Sequence, residues 1–131
     1  RIDEFVSKRH VLKQRYDSFL DSALLIKPFQ DLHCFSSLHL YPIRIKSNNN
    51  ISKKRKFCFN TLRKNGVGVN VHYKPIHSQP YYKQFGFEKG DYPNAEAYYD
   101  STISLPLYSD LSFDLQDQII KLTNQILFNE N

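Results

Sequence analysis

The sequence predicts an α+β fold: a small, mostly antiparallel sheet with helices on one face. Three observations predict it. Apolar residues recur at helical spacing near both ends of the chain, within 1–20 and again after Ser112. Between them, Val67-Gly68-Val69-Asn70-Val71-His72-Tyr73 and Ile103-Ser104-Leu105-Pro106-Leu107 alternate with the period of two that a half-buried strand shows. Prolines, glycines and an asparagine run break the chain often, so every element is short and no linker divides the 131 residues, one domain's worth of chain.

The elements follow in order. Residues 1–20 read as a helix, with Ile2, Phe5, Val6, Leu12, Tyr16, Phe19 and Leu20 mostly on one stripe. Residues 33–46 read as a strand, with a break or bulge expected near Pro42, because proline sits at strand edges. Ser47-Asn48-Asn49-Asn50 is a turn that supplies an N-cap for a helix over 51–65. Ile51, Cys58 and Leu62 form its inner face, and Gly66 is placed to end it in the left-handed conformation. The strand at 67–73 buries its valines and turns Asn70 and His72 to the other face. Residues 74–91 are loop and short turns, 93–101 a short helix with Pro93 in its first turn, and 103–107 a strand. Ser112 caps a last helix on Leu115, Ile119, Leu122 and Ile126. A sheet with polar, ring-bearing residues on its open side suggests a missing partner surface, such as another domain.

Composition narrows the function. Forty per cent apolar and 15% aromatic residues suffice for a core. The net charge is +5, and Lys53, Lys54, Arg55, Lys56, Arg63 and Lys64 share one stretch without an acid. Such a run is expected to be the solvated face of a helix, since no aromatic stacking pattern is interleaved with it, and no nucleic-acid partner is expected. Cys34 and Cys58 lack metal-ligand spacing and read as buried free thiols. No signal-peptide pattern and no run able to span a bilayer is present, so the expected setting is cytoplasmic, without a membrane partner. The absence of methionine at position 1, with a helix pattern starting at once, suggests a piece of a longer chain. His33 and His39 are expected only to pack beside the strand, and Arg44 to be an exposed strand arginine.

One run stands apart: Val69-Asn70-Val71-His72-Tyr73-Lys74-Pro75-Ile76-His77-Ser78-Gln79-Pro80-Tyr81-Tyr82. It gathers two histidines, three tyrosines and two side-chain amides on a backbone held by two prolines, as a loop at a polar ligand site does. The competing reading is a pair of structural histidines. A zinc site is disfavoured, because Pro75 forbids a helix between His72 and His77 and no acid or cysteine lies near in sequence.

With Ser36-Ser37-Leu38-His39-Leu40-Tyr41-Pro42-Ile43, Gly86-Phe87, Gly90-Asp91, Ala95-Glu96, Ile103-Ser104-Leu105-Pro106-Leu107-Tyr108 and Gln116-Asp117, this run resembles the C-terminal small domain of the DegT-type nucleotide-sugar aminotransferases of fold type I. The likeness is greatest to the transaminases of pseudaminic acid synthesis, and residues 2–17 resemble the long helix leading into that domain. The resemblance implies that residues 1–131 are a single small domain, with 1–20 as its leading helix. It implies amino transfer from glutamate to a 4-keto-6-deoxy sugar on uridine diphosphate, in polysaccharide or glycan synthesis. The cofactor would be pyridoxal phosphate, held with its lysine and its acid partner in a large domain outside this chain. No catalytic, cofactor or metal residue is then expected among these 131, and the isolated chain is expected to be inactive. Homodimers would form mainly through the large domain. The same resemblance places His72, Tyr73, Pro75, His77, Gln79 and Tyr82 against the substrate, with the two histidines as hydrogen-bond donors. A stand-alone sugar or nucleotide-sugar binding module is the alternative, and it predicts measurable binding by this chain alone.

Overall fold

A computed structural model describes residues 1–129. Helix α1 (Ile2–Phe19) leads into a two-residue strand β1 (Leu25–Ile26), strand β2 (Tyr41–Ile45) and helix α2 (Ile51–Lys64). A 3-10 turn (Ile76–Ser78), a one-turn helix α3 (Pro80–Lys83) and helix α4 (Pro93–Ser101) follow, then β3 (Thr102–Leu105) and α5 (Phe113–Asn129). The strands form one antiparallel sheet in the order β1-β2-β3. Tyr41, Ile43 and Ile45 point to the face where Leu12 and Tyr16 of α1, Cys58 and Leu62 of α2, and Ile119 and Ile126 of α5 complete the core. The α+β class with helices on one face of a small antiparallel sheet is therefore as the sequence predicts.

Chemistry at the helix ends explains the boundaries. Asn50 caps α2, its side-chain oxygen accepting the Lys53 N–H at 3.1 Å. The other end closes with two bonds, Gly66 N–H to the Arg63 carbonyl and Val67 N–H to the Leu62 carbonyl, both 3.0 Å. This pair needs a residue in the left-handed region, and Gly66 has φ +81°. The motif then folds Val67 back onto buried Leu62. Ser112 caps α5 through the Leu115 N–H.

Several expectations need correcting. Residues 67–73 do not form a strand. Val67 and Val69 are buried as the alternation requires, but the segment touches the sheet at a single bridge, Asn70 to Ser104. Period-two burial needs only an extended chain, whereas a strand also needs a ladder of partners. Residues 33–40 are irregular, and the strand begins at Tyr41. No break occurs at Pro42. Opposite it, Ser104 spends its backbone N–H and carbonyl on Asn70, at 2.8 and 3.2 Å, so Pro42 faces no group that needs its missing N–H. On its other side β1 reaches only Ile45 and Arg44, leaving Pro42 at an edge in effect. Cys34 is exposed rather than buried, although Cys58 is buried. His33 and His39 lie exposed on the irregular segment instead of packing beside a strand. The basic run is not wholly solvated: Lys54 is buried and Arg55 lies over the Tyr99 ring at 4.9 Å. Arg44 is half-buried, its Nε 3.3 Å from the Ser101 hydroxyl. On α5, Ile119 and Ile126 are buried, but Leu115 is exposed. Among the described residues no helix is long and apolar enough to cross a membrane.

Candidate functional site

The site is built on the second face of the sheet, where Thr102 and Ser104 are buried and Pro42 and Arg44 half-buried. Side chains opposite one another in an antiparallel pair share a face, so Ser104 projects with Pro42 and Asn70, away from Tyr41, Ile43 and Ile45. The Ser104 hydroxyl meets His72 Nδ1 at 2.9 Å. Asn70 turns its own Oδ1 back to the Val71 N–H at 2.8 Å, which steers the chain away from the sheet after one bridge. The His72–Tyr73 peptide bond is cis. The sheet thus carries His72 and Asn70 on its second face, as the alternation implies, though through a bridge and a side-chain bond rather than a strand.

Beyond Tyr73 the prolines organise the loop. Pro75 opens the 3-10 turn, whose Ser78 hydroxyl and N–H both bond the Pro75 carbonyl, at 2.7 and 3.0 Å. Pro80 starts α3 at its first position, where a missing N–H costs nothing. His77 is swung inward by this turn and is 8% exposed. Its Nε2 lies 2.8 Å from Glu96 Oε1, and its ring packs on Tyr92 with centroids 4.8 Å apart. The same Oε1 accepts the Gly90 N–H at 2.8 Å. That backbone bond, followed by the His77 contact, holds the Glu96 carboxyl below its ordinary 4.5.

The residues that the sequence singles out separate into two groups. Tyr73, at 72% exposure, and Tyr82, at 38%, offer rings and hydroxyls outward, with Gln79 half-buried between them. His72, Pro75 and His77 form the frame. His77 and Pro75 line two cavities at once. One, of about 270 Å³, also takes Lys74, Lys83, Lys89 and Asp100, and the other, of about 460 Å³, is walled by Tyr82, Phe87 and Tyr92. A roomier cavity of about 490 Å³ lies between Gly66–Gly68 and α5, but Leu111, Leu115 and Leu122 wall it and no histidine, acid or lysine lines it. The chemistry gathers around the loop instead.

Ser104 and Glu96 stand in motifs that carry the family resemblance, but the sequence reading gave neither a contact with the loop. By its neighbours alone Ser104 is the polar step of Ile103-Ser104-Leu105. Glu96 reads locally as an acid in the first turn of α4, where a helix dipole already accounts for it. Nothing local connects it to His77, 19 residues earlier.

Lys54 and Glu96 do not together make a pyridoxal phosphate site. Such a site needs a lysine presented to the cofactor and an acid for its ring nitrogen. Buried Lys54 lies on α2 with its Nζ directed to the Lys46 carbonyl at 3.4 Å. Glu96, which lines the loop cavity with Glu88 and Asp100, is committed to His77 and Gly90. Among the described residues no group of three or more histidines, cysteines and acids could hold a metal ion.

Comparison with known proteins places this architecture. Residues 1–123 match the model of the DegT/DnrJ/EryC1/StrS aminotransferase family, and the chain belongs to that family. It is 33% identical over 129 residues to the spore coat polysaccharide biosynthesis protein SpsC of Bacillus subtilis, covering 97% of this chain and 33% of the relative. Over 79 residues, 60% of this chain and 20% of the relative, it is 35% identical to a UDP-4-amino-4,6-dideoxy-N-acetyl-beta-L-altrosamine transaminase of Helicobacter pylori. Among solved structures, the apo form of a putative sugar aminotransferase, Spr1654 from Streptococcus pneumoniae, superposes with a TM-score of 0.90 at 30% identity, over 98% of this chain and 32% of that one. That protein is also known in PLP and PMP forms. Helicobacter pylori PseC, an aminotransferase of pseudaminic acid biosynthesis, gives a TM-score of 0.83 at 28% identity, over 95% of this chain and 33% of its own. The chain therefore spans about a third of the relatives it matches.

Proposed function

We propose that this chain is the small-domain third of a pyridoxal-phosphate-dependent aminotransferase. The enzyme moves the amino group of glutamate onto a 4-keto-6-deoxy sugar carried by uridine diphosphate, in surface-polysaccharide or glycan synthesis. The observation that carries this reading is the match of nearly the whole chain, at a TM-score of 0.90, to one third of Spr1654. The cofactor, when bound, supplies the electron sink for amino transfer, and it belongs to the large domain outside these residues. Homodimers form mainly through that domain.

The part left to this chain is recognition and closure. Exposed Tyr73 and Tyr82, with Gln79, present hydroxyls and an amide to sugar oxygens. His72 stands on Ser104 at the second sheet face, and Pro75 and His77 hold the loop in shape. Loop and sheet face together wall off one side of the cleft from water.

The test couples this chain to amino transfer. Alone, with glutamate, pyridoxal phosphate and a UDP-4-keto-6-deoxy sugar, it is expected to form no 2-oxoglutarate. Fused behind the preceding two thirds of the Bacillus subtilis relative, it is expected to restore turnover, with Tyr82→Phe and His72→Ala raising KM. NMR titration of the chain alone with UDP-N-acetylglucosamine at low and moderate salt gives the second readout. Tight, salt-resistant binding centred on residues 70–82 would replace this reading with a stand-alone binding module.

A further inference from the structure

The hydrogen bonding at His77 contains more than a loop clasp. An ionised carboxylate offers acceptors alone, and Glu96 Oε1 faces His77 Nε2 at 2.8 Å while also taking the Gly90 amide proton. Nε2 must therefore supply a proton. In a neutral imidazole the other nitrogen is then a lone-pair acceptor. Among the described residues no donor bonds His77 Nδ1. The Tyr92 ring at 4.8 Å restrains rotation, and the imidazole stands at the wall shared by the two loop cavities.

We infer that Glu96 is a positioning residue: it locks His77 in the Nε2–H tautomer and makes Nδ1 an acceptor for a donor-bearing group, a sugar hydroxyl, rather than for a carboxylate or phosphate. The hydroxyl assignment rests on the sugar-aminotransferase reading, whereas the tautomer does not. The inference reverses the donor role that the family resemblance gives His77. It also makes Glu96, on α4, the residue through which the 84–92 turn and the histidine are set together.

The experiment is long-range proton–nitrogen NMR of the full chain labelled with nitrogen-15 in histidine, at mildly alkaline pH. The expected wild-type result is one tautomer for His77, with Nε2 protonated and Nδ1 bearing the lone pair. Glu96→Ala is expected to give a tautomer mixture and faster exchange of the Gly90 amide. Glu96→Gln, whose amide oxygen still accepts, is expected to keep the wild-type tautomer. A wild-type Nδ1–H tautomer overturns the inference, as does a folded Glu96→Ala chain with His77 unchanged. Should Glu96→Ala not fold, the wild-type and Glu96→Gln spectra decide. Failure of the fused enzyme to transfer an amino group would leave the tautomer result standing, so the two readings fail separately.

Discussion

Replacing Ser104 with alanine isolates the attachment of His72 to the sheet. Ser104 is buried on β3, and its backbone N–H and carbonyl are both taken by Asn70. The substitution leaves these bonds in place and removes only the hydroxyl 2.9 Å from His72 Nδ1. A neutral hydrogen bond of this kind contributes about 0.5–1.5 kcal/mol net, and an orphaned buried partner costs about 1–3 kcal/mol. His72 is half-buried and can turn to water, so the lower range applies. The expected loss is about 2- to 12-fold in the folding equilibrium, or about 2–6 °C in Tm for a domain of this size. Urea unfolding measures the loss, and the ring resonances of His72 show whether its environment has changed. Unchanged His72 resonances, or a loss above about 3 kcal/mol, would refute the reasoning. The first means that the bond does not hold the ring; the second means that Ser104 supports more than this contact.

Other predictions follow from the same geometry. Gly66→Ala would place a Cβ in open space, with nothing within 4 Å, so its expected cost of about 1–2 kcal/mol is purely that of the left-handed backbone. Asparagine should cost less, and a neutral alanine in thermal unfolding would contradict the helix-end motif. Burial pushes the phenols of Tyr16 and Tyr41 well above their ordinary 10.0, with the Asp17 bond adding to the effect at Tyr41. Their stabilisation is present in full below about pH 10 and is lost as pH rises through the higher folded values, because the unfolded chain releases these protons first. Tyr41→Phe should flatten the alkaline limb of stability against pH, measured by urea unfolding. Glu96 has the opposite sign. Its depressed carboxyl contributes above its ordinary 4.5 and loses that contribution as pH falls through the lower folded value. Glu96→Gln should flatten the acid limb, and an unchanged acid limb would count against the His77–Gly90 clasp.

Unrelated features of the loop serve one conformation. The prolines that punctuate 75–80 each sit where the backbone can use them, one opening a 3-10 turn and one starting α3. The loop is then secured at two distant points, His72 on β3 and His77 on α4. Such anchoring leaves the rings of Tyr73 and Tyr82 exposed on a fixed frame, as the proposed contact with substrate requires.

What the sequence by itself determined were the features governed by near neighbours. The helices at 51–64 and after Ser112 follow from caps and periodicity. The burial of Val67 and Val69 follows from alternation, and the loop's chemistry from its composition. Only tertiary structure decided the features that depend on a distant partner. Residues 67–73 are extended but unladdered because one bridge, Asn70 to Ser104, is all the sheet edge offers them. β1 is two residues long, below any periodic signal, and exists because β2 pairs with it. Pro42 is tolerated because Ser104 turns its backbone the other way. Lys54 and Arg55 turn inward because α4 and the 46–50 turn pack beside them. Glu96 meets His77 for the same reason. A hydrogen bond across 19 residues leaves no local trace, since each residue alone satisfies a simpler reading, a helix-start acid and a loop histidine, until the fold brings them within 2.8 Å.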